Sequence, residues 1–304
     1  MSCFSVRRRL LIISCLAAFI MMISSASPVR ATEGGGNAYP NGADDFMAGA
    51  LPPPGTYLLD YFLYYRANSF KDKDGHDAMA KFDLNAFVNV FRIVHVTQVQ
   101  FLGANWAMHV FLPLVYKDVD ATFGKDNRSG IGDVIIDPFI LGWHWKNFHL
   151  TTGLDIYLPT GNYNKDRLLN TSRNYYTLEP IAAVTYLADN GFELTGKFMY
   201  DYNFKNDDTD YKSGQEFHFD YTIGYHINKS WAVGLGGYYY YQTTDDEQYG
   251  TTYQDGNKGR VFAVGPQVAY TYKNMSFTLK WQKEFEARNR PQGDNFWLKF
   301  TYAF

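Results

Sequence analysis

Large apolar residues occupy every second position at the end of the chain: Phe296, Leu298, Phe300, Tyr302 and Phe304, with Trp297, Lys299, Thr301 and Ala303 between them. Alternation of period two running to the carboxyl terminus predicts a strand with one face in lipid and the other in a wetter interior. A soluble domain has nothing to bury a fraying Phe end against. In a barrel the last strand closes on the first. The same alternation recurs upstream. Phe217, Phe219, Tyr221, Ile223 and Tyr225 share one parity, and Glu216, His218, Asp220, Thr222 and His226 the other. The second set is too costly to place in lipid and must face inward. Phe277, Leu279, Trp281 and Phe285 oppose Thr278, Lys280, Gln282, Glu284 and Glu286, and Trp231, Val233, Leu235 and Tyr239 oppose Ala232, Gly234, Gly236, Tyr238 and Tyr240.

The pattern predicts twelve strands, at about 56–67, 80–94, 103–116, 131–145, 148–159, 174–187, 191–203, 214–227, 230–242, 259–272, 275–287 and 294–304. Tight turns fall at Lys146-Asn147, Asp189-Asn190, Asn228-Lys229 and Lys273-Asn274. Longer polar stretches fall between them: Asn68–Asp77, Lys117–Ser129, Gly161–Arg173, Lys205–Ser213, Thr243–Lys258 and Arg288–Gly293. Short connections on one side and long ones on the other describe periplasmic turns and extracellular loops. Trp106, Trp143, Trp145, Trp231, Tyr270 and Tyr272 lie near strand ends, as aromatic belts at the two membrane interfaces require. The fold class is therefore all-β: a transmembrane antiparallel β-barrel of about 12 strands over residues 55–304, with a short non-barrel N-terminal leader.

The amino terminus reads as an export signal. Arg7, Arg8 and Arg9 precede an apolar run from Leu10 to Ile23, and Val29-Arg30-Ala31 supplies a small-residue cleavage site after Ala31. The run is short for a spanning helix. Ile12-Ile13-Ser14-Cys15 mimics a lipoprotein box but follows the arginines too closely to leave an apolar region. Cys3 and Cys15 both lie in this segment, so the mature chain has no disulfide and no thiolate chemistry. Its loss leaves 24 basic against 31 acidic residues, a balance that argues against nucleic acid as a partner. Residues 32–54 are rich in Gly, Pro and Asn and end in Leu51-Pro52-Pro53-Pro54-Gly55, which no sheet accepts. This leader is expected in the lumen or at the periplasmic mouth. With 25 Tyr, 24 Phe and no long apolar helix beyond the signal, the composition is that of a barrel whose two faces average out.

Several short stretches carry a resemblance. They are Gly130-Ile131-Gly132-Asp133, Leu141-Gly142-Trp143-His144, Leu158-Pro159-Thr160-Gly161-Asn162-Tyr163, Tyr202-Asn203-Phe204-Lys205-Asn206 with Asp208 through Gly214, Gly236-Gly237-Tyr238, Gly265-Pro266, and Glu284 with Asn289 through Asp294. With the leader elements Glu33-Gly34-Gly35-Gly36 and Leu51 through Tyr57, the chain resembles the bacterial outer-membrane proteins named for the meta-cleavage pathway of phenol degradation. The resemblance implies a barrel porin or transporter for aromatic or other poorly soluble carbon sources. It brings no catalytic motif and no substrate site.

The inward-facing polar set holds the candidate functional residues: Arg66, Asp155, Glu179, Lys197, Glu216, His218, Asp220, Tyr238, Tyr240, Lys280 and Glu284, joined by Asp83, Asp201 and Glu286. Mixed charges across a lumen can shape a permeation path, and Tyr238 and Tyr240 offer ring faces to an aromatic solute. The bland alternative is that the charges pair and fill a small barrel. Asp72 through Asp77 resembles part of a calcium loop but lacks the distal bidentate Glu, so a solvated loop tip is expected. Asp207-Asp208 and Asp245-Asp246-Glu247 are similar acidic loops. None of the seven histidines has a nucleophile-elbow context or His-x-x-x-His spacing. No catalytic, cofactor-binding or metal-binding residue is assigned, and no enzyme activity is expected.

The reading is a monomeric outer-membrane channel for passive uptake of small hydrophobic or aromatic compounds. A plugged structural or surface-interaction barrel is the alternative, and a membrane-embedded lipid hydrolase a distant third. Expected partners are outer-membrane lipid and lipopolysaccharide, the barrel assembly machinery through the strand ending at Phe304, and a small-molecule solute.

Overall fold

The computed structural model describes residue 36 and residues 38–304. The expected export signal, residues 1–31, lies outside them. Among the described residues no helix occurs. The barrel strands are β1 (Gly55–Lys71), β2 (Phe82–Phe101), β3 (Ala104–Ala121), β4 in two pieces (Gly124–Ile131 and Val134–His144), β5 (Phe148–Leu158), β6 (Thr177–Leu187), β7 (Phe192–Asn203), β8 (Glu216–His226), β9 (Trp231–Gln242), β10 (Arg260–Tyr272), β11 (Met275–Arg288) and β12 (Arg290–Ala303). Each pairs antiparallel with its neighbours in sequence, and β12 returns to β1 in register from Tyr57↔Ala303 to Lys71↔Arg290. The sheet is closed and has twelve strands, so no lipid-facing edge remains where β1 meets β12.

Alternation sets the faces. Phe62, Ile223, Leu279, Trp281 and Phe296 are exposed on the outer wall, while Tyr61, Leu63, Lys280, Gln282 and Trp297 are buried inside. Most polar side chains that face inward find hydrogen-bond partners there, Asp201 and His218 being exceptions, and where an apolar one faces outward lipid takes the place of a core.

Four details depart from the sequence reading. Lys117–Ser129 is not a loop. β3 and the first piece of β4 run on as a hairpin and turn only at Thr122-Phe123. Its outer charges pair with one another, with Lys81 and Lys125 at 2.7 and 2.5 Å from Asp120, as suits a hairpin standing clear of the hydrocarbon. Arg288–Gly293 is likewise strand, turning at Asn289 in a left-handed conformation (φ 52°). Glu286 does not face inward: a bulge with φ 55° at that residue throws it outward, 3.4 Å from Arg260, and Ala287 takes the buried position. The six belt aromatics all sit near the short turns, so they mark one interface rather than two.

The loops after β7 and β9 pair through the two-residue strands Lys205–Asn206, Tyr211–Lys212, Glu247–Gln248 and Thr251–Thr252 into a separate small sheet. Asp246 anchors it, accepting hydrogen bonds from Tyr211 Oη (2.5 Å), Gly214 N (2.7 Å) and Gln242 Nε2 (2.8 Å).

Candidate functional site

The wall is irregular at β3–β5. Pro138 in β4 cannot donate to the ladder, and the β4–β5 register shifts between Ile136 and Leu141. Asp137 replaces the missing bonds, accepting from Phe139 N at 2.8 Å and Leu154 N at 2.7 Å. Beside it, His109 Nε2 lies 2.7 Å from Asp155 and its Nδ1 2.8 Å from Arg92 Nη2.

Inside the barrel the leader runs down one wall. Few of its backbone groups pair within the leader (Asn41 N with Tyr39 O, Ala43 N with Pro40 O and Ala50 N with Met47 O), so wall side chains supply partners for others. Asp220 on β8 accepts from Gly42 N, Asp44 N and Tyr39 Oη at 2.8, 3.0 and 2.8 Å. Lys280 on β11 donates to the carbonyls of Gly42 and Ala43 at 2.7 and 2.6 Å. Lys197 pairs with Asp44 at 2.7 Å and Lys299 with Asp45 at 2.5 Å. Lower down, Glu193 accepts from Met47 N at 2.7 Å and Thr185 from Gly49 N at 3.0 Å. Two glycines make this approach possible. Gly42 holds φ 84° against Tyr238 and Gln282, and a Cβ on Gly49 would lie 2.5 Å from the β6 backbone.

The opposite wall is different. Leu63, Ala86, Val88, Val90, Phe111 and Ile135 from β1–β4 face a cavity of about 360 Å³ between the wall and the leader. Aromatic rings of Tyr61, Tyr65, Tyr157 and Trp297 border it, and Arg92, Lys117, Asp133, Asp155, Lys197, Glu284 and Arg290 bring charged groups to its lining. Residues 163–173 of the loop after β5 line its outer end. The lumen is thus divided lengthwise: one half grips the leader through charged side chains, and the other borders the cavity with a mainly apolar wall.

The profile of the family described as "Putative MetA-pathway of phenol degradation" matches residues 67–300. The chain belongs to that family. Among solved structures, the chain is similar to the COG4313 outer membrane channel from Pseudomonas putida F1, with a TM-score of 0.77 at 18% identity over 86% of this chain and 99% of that one. The translocator domain of the autotransporter NalP from Neisseria meningitidis gives a TM-score of 0.49 at 8% identity, over 83% and 90%. The CymD monoaromatic hydrocarbon channel gives 0.42 at 9% identity, over 83% and 89%. No curated protein sequence matches the chain. The chain has the fold of an outer-membrane channel.

The sequence-derived candidates divide into groups. Asp155, Lys197, Tyr238 and Glu284 reach the cavity. Lys197, Asp220 and Lys280 hold the leader. Glu284 accepts from Tyr65 Oη at 2.8 Å and Gly293 N at 2.6 Å, and also from Tyr238 Oη. Tyr240 is buried under Arg290, whose guanidinium carbon stands 4.3 Å from the ring centre. Glu179, Glu216 and His218 are buried together in a separate cluster. Arg66 faces the other way. β1 buries odd-numbered residues, so Arg66 shares the outer face with Phe62 and Tyr64, 3.9 Å from Asp83 near the loop end. The apolar cavity wall escaped the reading from charges. Its signal is that 58–65 and 87–96 are apolar at both parities apart from Asp60, Asn89, Arg92 and His95, which a strand greasy on both faces requires.

Proposed function

We propose that the barrel is a passive outer-membrane channel for small hydrophobic or aromatic solutes, which move along the apolar half of the lumen. The observation that carries the reading is the lengthwise division of the interior. A water-filled porin has no use for Leu63, Val88, Val90 and Ile135 on its inner wall, and these side chains favour an apolar guest. Tyr61, Tyr65, Phe111 and Tyr157 offer ring edges and faces to an aromatic one. Arg92 and Lys197 at the border match a single polar substituent. Membership in a family named for phenol degradation agrees with this chemistry, as does the likeness in fold to an outer-membrane channel.

The leader favours one competing reading, a plugged barrel without transport. Proteoliposome swelling separates the two. Barrels in vesicles should admit phenol-sized aromatics faster than sugars of equal mass. Ala86→Trp, which projects into the cavity from the β2 wall, should slow aromatic entry several-fold. Equal, background-level entry of both solute classes would establish the plugged barrel instead. A hydrolase has less support. His144 and His149 are 2.8 Å apart across the hairpin they share and contact each other rather than a serine. Absence of fatty-acid release from phospholipid by the purified barrel is the expected result.

A further inference from the structure

Three carboxylates and an imidazole meet at one level of the inner wall, outside the cavity. Asp201 on β7 pairs across the ladder with Glu216 on β8. Leu178 pairs with Tyr202 and Ile181 with Met199, which sets Glu179 on β6 opposite Asp201. His218 lies two residues along β8 on the same face. All four are at most 1% exposed. Like charges directly opposite on neighbouring strands repel, and burial removes the water that would screen them.

Their polar atoms are also short of partners. Among the described residues, neither oxygen of Asp201, neither ring nitrogen of His218, Glu179 Oε1 nor Glu216 Oε2 has a hydrogen bond. Such atoms are costly to bury. The remaining two carboxylate oxygens are held in place, Glu179 Oε2 by Tyr157 Oη at 3.0 Å and Glu216 Oε1 by Asn203 Nδ2 at 3.3 Å. Arg173 and Arg290 act on Glu216, and Lys197 acts on Glu179. The charges Asp201 feels most are Glu179, His218 and Glu216.

The spacing is that of ligands around an ion. His218 Nε2 stands 3.4 Å from Asp201 Oδ1 and 3.5 Å from Glu179 Oε2. Bonds of about 2.0–2.2 Å meeting at tetrahedral angles hold ligand atoms about 3.3–3.6 Å apart. Two other groups of the same residue types lack this character. His109 is bonded at both nitrogens, and Asp137 spends its oxygens on the β4–β5 backbone. Asp72, Asp74 and His76 sit on a solvated loop whose own amides bond Asp72.

We propose that Glu179, Asp201 and His218, with Glu216 completing the set, bind one divalent ion of the zinc class. An imidazole among carboxylates suits zinc and its transition-metal neighbours, whereas calcium and magnesium take oxygen ligands. The ion ties β6, β7 and β8 together beneath the leader, since the Tyr39 ring lies 5.2 Å from that of His218. The proposal is independent of the transport reading.

The full-length barrel in detergent, stripped with a chelator, exposed to Zn²⁺ and dialysed, should retain one zinc per chain by mass spectrometry. Co²⁺ in its place should give the intense visible band of a tetrahedral site. Excess Ca²⁺ should displace neither. Asp201→Asn and His218→Ala should weaken retention at least tenfold, and His109→Ala should leave it unchanged, with heat-modifiable gel migration confirming that each variant is folded. If a variant does not fold, the wild-type stoichiometry and Co²⁺ spectrum decide alone. No stoichiometric zinc in the wild type, equal retention in folded Asp201→Asn and His218→Ala, or displacement by Ca²⁺ would each overturn the proposal.

Discussion

Asp220 shows how much a single side chain carries here. One carboxylate takes three hydrogen bonds from the leader, and the leader has few other partners for those groups. Asp220→Ala strands the amides of Gly42 and Asp44, at about 1–3 kcal/mol each if they stay buried, and leaves Tyr39 Oη its contact with Asp44 at 3.2 Å. The leader should instead lift from the wall. Faster hydrogen exchange at Gly42 and Asp44, together with faster solute entry into vesicles, is the expected result. Asp246 illustrates a different balance at the extracellular loops. Burial pushes its carboxyl up to about 7, against the hydrogen bond from Tyr211 that favours the charged form. The ordinary value is 3.8. The folded loop therefore keeps a proton that the unfolded loop releases as pH rises between those two values. Stability of the small sheet is fully present below the lower value and falls as pH climbs toward the upper one. Proteolysis within residues 243–258 should be faster at about pH 8 than at about pH 5, and Asp246→Asn should flatten the difference.

At the scale of strands, alternation between apolar and polar residues was enough to place all twelve, because a lipid-facing position tolerates no charge and so marks its parity clearly. The faces were misassigned in places for different reasons. Arg66 was assigned inward because it is charged, yet it sits beyond the apolar span where water reaches the outer wall. Glu286 followed the correct alternation up to a bulge that alternation cannot foresee. Lys117–Ser129 looked like a loop because strands that rise above the membrane lose the apolar face that identifies them. The charges of the lumen were legible, but their partners were not. Leader residues Gly42 to Asp45 lie well over a hundred positions from Asp220 and Lys280. The β4–β5 seam depends on one residue in the same way. Asp137→Ala leaves Phe139 N and Leu154 N without acceptors at a point where proline already interrupts the ladder. It should lower the temperature at which the barrel unfolds on gels, and hydrogen exchange should rise in β4 and β5 before other strands.

Over the whole molecule, the interior is one volume shared by two occupants, the leader and the cavity. Residues 38–50 fill what would otherwise be a wide aqueous lumen lined by Lys197, Asp220, Lys280 and Lys299. Removing them should raise single-channel ionic conductance several-fold and erase the preference for aromatic over sugar solutes. An unchanged conductance would mean that the leader does not restrict ion flow. The closed seam between β1 and β12 has a consequence for assembly. The leader that sits inside runs directly into β1, one of the two strands that meet at the seam, so when the last rungs zip it stays anchored at the rim of a closed cylinder. Once they have, it can withdraw only lengthwise, through a mouth, and never sideways between staves. Entry and exit share that one axial path, so the grip of Asp220, Lys280 and Lys299 on the leader, and not the seam, sets how long it stays.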